Sequence, residues 1–214
     1  MPAPTLTFSP AMFHAAVVAK NKTVTRRHIQ EVHHDCVSNP RLETAVIRGV
    51  QRYRGIATLP SGINVDYGAP SHFPGETKPA VTSWAVNASL DDIRPTELVG
   101  HGLEVWFNDG SAKPDWAGKT RPGRFLPRTL YDFAPKIRIV STQPEWLHDI
   151  TDADALAEGI HAIGHKFGVP HADGDYHHQS SSARDSYFLL WDSLHGPGHA
   201  ATNPLVWRTE FALA

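Results

Sequence analysis

The sequence predicts an α+β domain in which a mixed or barrel-like sheet carries flanking helices and long inserted loops. Three observations lead there. Short runs of alternating apolar and polar residues, such as Lys136-Ile137-Arg138-Ile139-Val140-Ser141, are scattered along the chain. The clear helical patterns do not alternate with strands in a βαβ rhythm, which argues against a parallel doubly wound sheet. Seventeen Pro and sixteen Gly in 214 residues exceed the average usage of roughly 12% and favour turns over a helical bundle.

The elements follow in chain order. Leu6 and Phe8 alternate with Thr5, Thr7 and Ser9, which reads as a short strand. Ser9-Pro10 then supplies an N-cap and a first-turn proline for a helix that ends at Asn21, a good left-handed cap. Lys22 to Arg27 is compatible with a strand. From His28 to His101 periodicity fades: Ala45 to Tyr53 fits helix or strand, and Thr58 to Pro79, rich in Gly, Pro and Ser, reads as loop. Such a stretch marks an insertion or a functional loop, set at about 28–95 in a single domain spanning 1–214. Leu103 to Phe107 reads as a strand closed by the turn Asn108-Asp109-Gly110. After the strand at Lys136, Thr151-Asp152-Ala153-Asp154 opens a helix expected to run to Ile163. Gly164 to Ser182 reads as a His-rich loop, with 164–182 as the second insertion. Ala183 to Leu194 is an amphipathic helix with Tyr187, Leu190, Trp191 and Leu194 on one face, stopped by Gly196-Pro197-Gly198. Leu205 to Phe211 closes the pattern as a strand.

Charge and cysteine content narrow the function. With 20 Lys+Arg against 22 Asp+Glu, a generally basic nucleic-acid binder is excluded, although a local basic face is not. The single Cys36 excludes an intramolecular disulfide framework and a Cys-rich zinc module, and fits a reducing, cytoplasmic setting. Ala11 to Ala19 is too short to span a bilayer and has no basic segment before it, so neither a membrane anchor nor a secretory signal is expected.

Two groupings can carry chemistry. Lys22, Thr25, Arg26 and Arg27 gather three cations and a hydroxyl directly after a helix. They form a solvated basic edge, or an anion or carbonyl site whose lysine becomes nucleophilic when burial lowers its pKa. Glu158 lies among Ala155, Ala157 and Gly159, small neighbours that leave room for a ligand beside a carboxylate; otherwise it is a surface glutamate. The fourteen His are a third candidate. His33, His34, Asp35 and Cys36 form one group, and His171, Asp173, Asp175, His177 and His178 another. His161 and His165 have the four-residue spacing of a helical zinc pair. No His-Glu-x-x-His pattern, phosphate loop or nucleophile elbow is present, so no metal and no cofactor are assigned. Trp106, Trp191 and Trp207, with Tyr131 and Phe133, read mainly as core, with one or two available to stack on a base.

Three blocks resemble the ASCH domain family, and within it the larger phage and prophage members. They are Leu6 to Met12 leading to Lys22-Thr23-Val24-Thr25-Arg26-Arg27; Arg124 to Arg128, Ile137 to Ser141 and Asp149 to Ile160; and Leu190 to Gly196 followed by Asn203 to Phe211. The resemblance implies a PUA-like β-barrel and association with RNA or modified nucleosides. One bacterial branch hydrolyses the amide of N4-acetylcytidine with a lysine, a threonine three residues on and a later glutamate. By motif these fall on Lys22, Thr25 and Glu158. The resemblance thus implies Lys22 as nucleophile, Thr25 as its hydrogen-bond partner and Glu158 as acid/base, with Thr23, Arg26 and Arg27 binding substrate. The implied partner is a modified nucleoside or nucleotide; the alternative is a non-catalytic module binding RNA or single-stranded nucleic acid. The segment 28–95 has no counterpart in the small amidohydrolases, and the doubled Arg26-Arg27 favours an anionic ligand.

Overall fold

The computed structural model describes residues 5–29, 37–47, 50–98, 102–171 and 174–214. His33, His34, Asp35, Cys36 and Asp173 lie outside the described residues. The architecture is α+β, with many strands in several sheets and few helices. Among the described residues the sheets do not close into a barrel.

The central sheet has five strands in the order β1 (Leu6–Thr7), β6 (Thr77–Val81), β9 (Lys136–Trp146), β13 (Leu205–Leu213) and β2 (Val24–His28). β1 runs parallel to β6 and every other pairing is antiparallel, which gives a mixed sheet. β13 is flanked on both sides, and Leu205, Val206, Trp207, Thr209 and Phe211 are buried along it. Pro144 is tolerated in β9 because β6 pairs with that strand only at residues 136–138, so the missing N–H is not needed there.

The segment 28–95 contains strands that weak periodicity concealed. β3 (Ser38–Ile47), β4 (Val50–Thr58) and β5 (Asn64–Asp66) form an antiparallel sheet, so the described parts of Ala45 to Tyr53 lie in two strands, β3 and β4. The chain then returns β6 to the central sheet, and β7 (Trp84–Val86) pairs with β8 (Val105–Phe107). The stretch Thr58 to Pro79, expected as loop, therefore holds β5 and the start of β6.

Helical expectations are met at their starts, and corrected at the ends of the first two helices. Pro10–Phe13 forms α1 and passes into a π-helical turn over His14–Val18, in which Ala19 N–H donates to His14 O at 2.9 Å. The left-handed residue is Lys20 (φ 57°), not Asn21, because the chain leaves that turn at Ala19; the Asn21 amide bonds His161 Nε2 instead. α2 spans only Asp152–Ala157 behind the Thr151–Asp154 capping box. Gly159 (φ 98°) ends it and the chain turns into β10 (His161–Ile163). His161 and His165 are therefore not neighbours on a helix face. The expected loop 164–182 is a sheet of β10, β11 (Lys166–Pro170) and β12 (Tyr176–Ser180). α3 (Ala183–His195) buries Ala183, Ser186, Tyr187 and Trp191, whereas Leu194 is 69% exposed and departs from the expected face. No helix among the described residues is long and apolar enough to cross a membrane.

Candidate functional site

The path of the backbone around Lys22 fixes the site. Asn21 and Lys22 N–H both donate to Ala15 O, at 3.0 and 3.1 Å. Thr23 N–H donates to Ala157 O and its carbonyl accepts from Phe211 N–H, each at 2.9 Å. Lys22 is thereby clamped between the first helix, the end of α2 and β13. Gly159 is needed on two counts: it holds a positive φ, and a Cβ there would lie 3.0 Å from Met12 Sδ and 3.6 Å from Lys22 Cδ. That close approach lets Glu158 face the lysine. Lys22 Nζ donates to Glu158 Oε2 at 2.7 Å and to the Glu158 carbonyl at 2.6 Å, and the two residues are 4% and 3% exposed.

The other carboxylate oxygen is held from the opposite side. Arg26 Nη1 donates to Glu158 Oε1 at 3.2 Å, and Tyr187 Oη on α3 donates to the same atom at 3.4 Å. Arg26 Nε also donates to Glu145 Oε1 at 2.5 Å. Arg26 stands directly opposite Arg208 across the β2–β13 register, a like-charge pairing that is unfavourable when left alone. Two shared acids offset it. Glu145 meets both arginines, and Asp154 Oδ1 lies 3.1 Å from Arg208 Nη2 and 3.7 Å from Arg26 Nη2.

Burial sets the protonation energetics. It pushes the Lys22 ammonium below its ordinary pKa; Glu158 pulls the other way, while Arg26 and Arg27 add to the lowering. Burial, with the Glu158 charge beside it, raises the Tyr187 phenol well above its usual range, so it remains a donor. Burial also raises Glu145, against the pull of Arg26 and Arg208. If Lys22 is a neutral amine, its two N–H groups can satisfy the Glu158 carbonyl and Oε2, which leaves the third tetrahedral direction, carrying the lone pair, for a ligand.

That ligand has room. A cavity of about 1110 Å³ is walled by Lys22, Thr25, Arg26, Arg27 and Glu158, so the structure brings five of the six site residues expected from sequence to one place. Thr23 is not among the walls; its side chain is exposed while its backbone ties α2 to β13. Thr25 is half-buried opposite Thr209. Tyr187, Glu145 and His72 escaped sequence reasoning. Tyr187 lies on an apolar helix face that reads as core, and Glu145 is 119 residues from the arginine it holds.

Aromatic rings line one end of the cavity. Trp191 stacks on His195 with ring centroids 4.2 Å apart, and its Nε1 donates to His199 Nδ1 at 3.0 Å. His28 lies edge-on to His199 at 4.9 Å. His171 and His177 stack at 4.0 Å elsewhere on the wall. Trp207 also lines the cavity, Trp106 is half-buried in β8, and Phe133 is exposed. Among the described residues no group of three or more His, Cys, Asp or Glu is placed to hold a metal ion. No family model matches the chain, and no curated protein or solved structure matches it.

Proposed function

We propose that the chain is an amidohydrolase that removes an acyl group from an N4-acylated cytosine-type base, nucleoside or nucleotide, on a PUA-like fold of the ASCH type. The observation that carries this reading is the dry Lys22–Glu158 pair in the wall of a cavity large enough for such a substrate. Glu158 Oε2 takes a proton from the Lys22 ammonium across 2.7 Å, and the neutral amine attacks the acyl carbonyl carbon. The carbonyl π pair moves onto oxygen, where Thr25 offers a hydroxyl. Collapse breaks the C–N4 bond, and a proton from the attacking nitrogen leaves with the cytosine amine. Water then cleaves the acyl-lysine, the carboxylic acid departs, and Glu158 returns its proton to Lys22.

The test is ultraviolet-monitored conversion of N4-acetylcytidine to cytidine by wild type, Lys22→Ala and Glu158→Ala. Turnover in wild type that disappears in both variants is expected, and turnover retained by Lys22→Ala would remove the lysine from its role. One observation favours a second reading, a binding module without turnover for RNA or single-stranded nucleic acid: both hydrogen bonds of Lys22 Nζ end on Glu158, as in a closed ion pair. Absence of turnover on nucleoside, nucleotide and several acyl variants selects that reading. Its own measurement is RNA affinity against salt concentration.

A further inference from the structure

The charge on the cavity wall is unlike that of the chain. Formal net charge is −2 overall, yet the wall carries Lys22, Arg26 and Arg27 against a single carboxylate, Glu158. A cation without a counterion on the low-dielectric wall of a recess draws the opposite charge. The three cations are not equivalent. Lys22 is bound to Glu158, and Arg26 to both Glu158 and Glu145. Arg27 makes no ion pair among the described residues; its Nη2 donates to Thr7 O at 3.2 Å, which steadies the guanidinium against β1 and leaves its other N–H groups for a ligand. Its side chain is exposed enough to be reached from solvent. At about 1110 Å³ the space has room for a base and sugar with a phosphate beside them. His195, exposed on the wall and stacked on the buried Trp191, offers a planar surface for a base in the same cavity as Arg27.

We infer that this cavity takes a phosphate-bearing cytosine-type ligand in preference to the free nucleoside, with Arg27 meeting the phosphate; the inference rests on reading the cavity as a site for a cytosine-type base. A planar fork with free donors suits a phosphate better than it suits a ribose hydroxyl. The phosphate belongs either to a mononucleotide or to a diester within a strand, and both present the same anionic oxygens.

The experiment is calorimetric titration of the full chain with cytidine, with CMP and with a cytosine-centred trinucleotide, for wild type and Arg27→Gln, with thermal melts to verify folding. Wild type is expected to bind CMP or the trinucleotide at least tenfold more tightly than cytidine, and Arg27→Gln to reduce that ratio to about twofold. Tighter binding of the trinucleotide than of CMP assigns the phosphate to a strand, and the reverse order to a mononucleotide. Equal affinity for cytidine and both phosphate-bearing probes, no detectable binding of either phosphate-bearing probe, or a ratio unchanged in folded Arg27→Gln overturns the inference. These titrations involve no acyl group. A phosphate preference without amide turnover therefore retires the hydrolase alone, and turnover without a phosphate preference retires this inference alone.

Discussion

Around Trp84 and around Glu158 the protein is almost equally closed to water, at 0% and 3% exposure, yet the two interiors are held by different forces. Trp84 packs with Val81, Val86, Leu98, Leu126 and Leu130, and its Nε1 donates to Pro122 O at 3.3 Å. This interior is non-directional: its contacts scale with apolar area, and neighbours of similar volume can substitute for one another. Around Glu158 each group depends on a particular partner. Lys22, Arg26, Tyr187, Glu145, Arg208 and Asp154 form one connected set in which each desolvated charge is stable only beside its counterion. Apolar residues of similar volume commonly fill such a space at no loss of stability, whereas removing one partner of a buried pair leaves an uncompensated charge.

The largest effects come from breaking each interior once. Trp84→Ala leaves a cavity and is expected to cost about 3–5 kcal/mol. Glu158→Gln keeps the shape but leaves Lys22 and Arg26 short of a counterion, and is expected to cost a similar 3–5 kcal/mol. Urea midpoints should therefore fall comparably, whereas turnover per folded molecule should collapse only for Glu158→Gln. A Glu158→Gln protein within about 1 kcal/mol of wild type would mean that water reaches the pair, and the contrast between the interiors would be lost.

A middle-sized effect separates the two by pH. His72 is 4% exposed on the cavity wall, and burial, with Arg27 and Lys78 nearby and Glu76 opposing them, lowers its pKa from 6.5 to about 4. Below 6.5 the unfolded chain binds a proton that the folded chain refuses, so stability is full above pH 6.5 and falls as pH drops towards 4. The loss from this group is on the order of 3 kcal/mol. In His72→Gln that part of the acid dependence should vanish, measured as the difference between urea titrations of variant and wild type at pH 7 and pH 4.5. Parallel curves for the two proteins would show that His72 titrates normally.

Legibility in the sequence follows the same division. α3 and β13 could be read because caps, stops and apolar spacing are local, as at Ser182, Gly196 and the run Leu205 to Phe211. β3 and β4 could not, because Pro40, Arg41, Glu43, Arg52 and Arg54 interrupt the apolar alternation of a largely solvated sheet. β12 was hidden likewise, its His177 and His178 sitting on a half-exposed ribbon. At the site, Lys22, Thr25 and Arg26 share one short motif, and Glu158 follows a recognisable cap at Thr151. Glu145 and Tyr187 carry no local mark, because their roles arise only when β9 and α3 fold against β2.

The smallest expected effect falls on Tyr187, where the two kinds of interior meet. Its ring packs in the apolar cluster with Trp191, Ala155 and Ile160, and its hydroxyl reaches Glu158 Oε1 at 3.4 Å. Tyr187→Phe retains the packing and removes one long hydrogen bond to a carboxylate that Arg26 and Lys22 still hold. A stability loss of about 1 kcal/mol is expected, well below that of Glu158→Gln. A Tyr187→Phe protein with wild-type stability would assign the tyrosine to the apolar packing alone and place the boundary of the charged interior at Arg26.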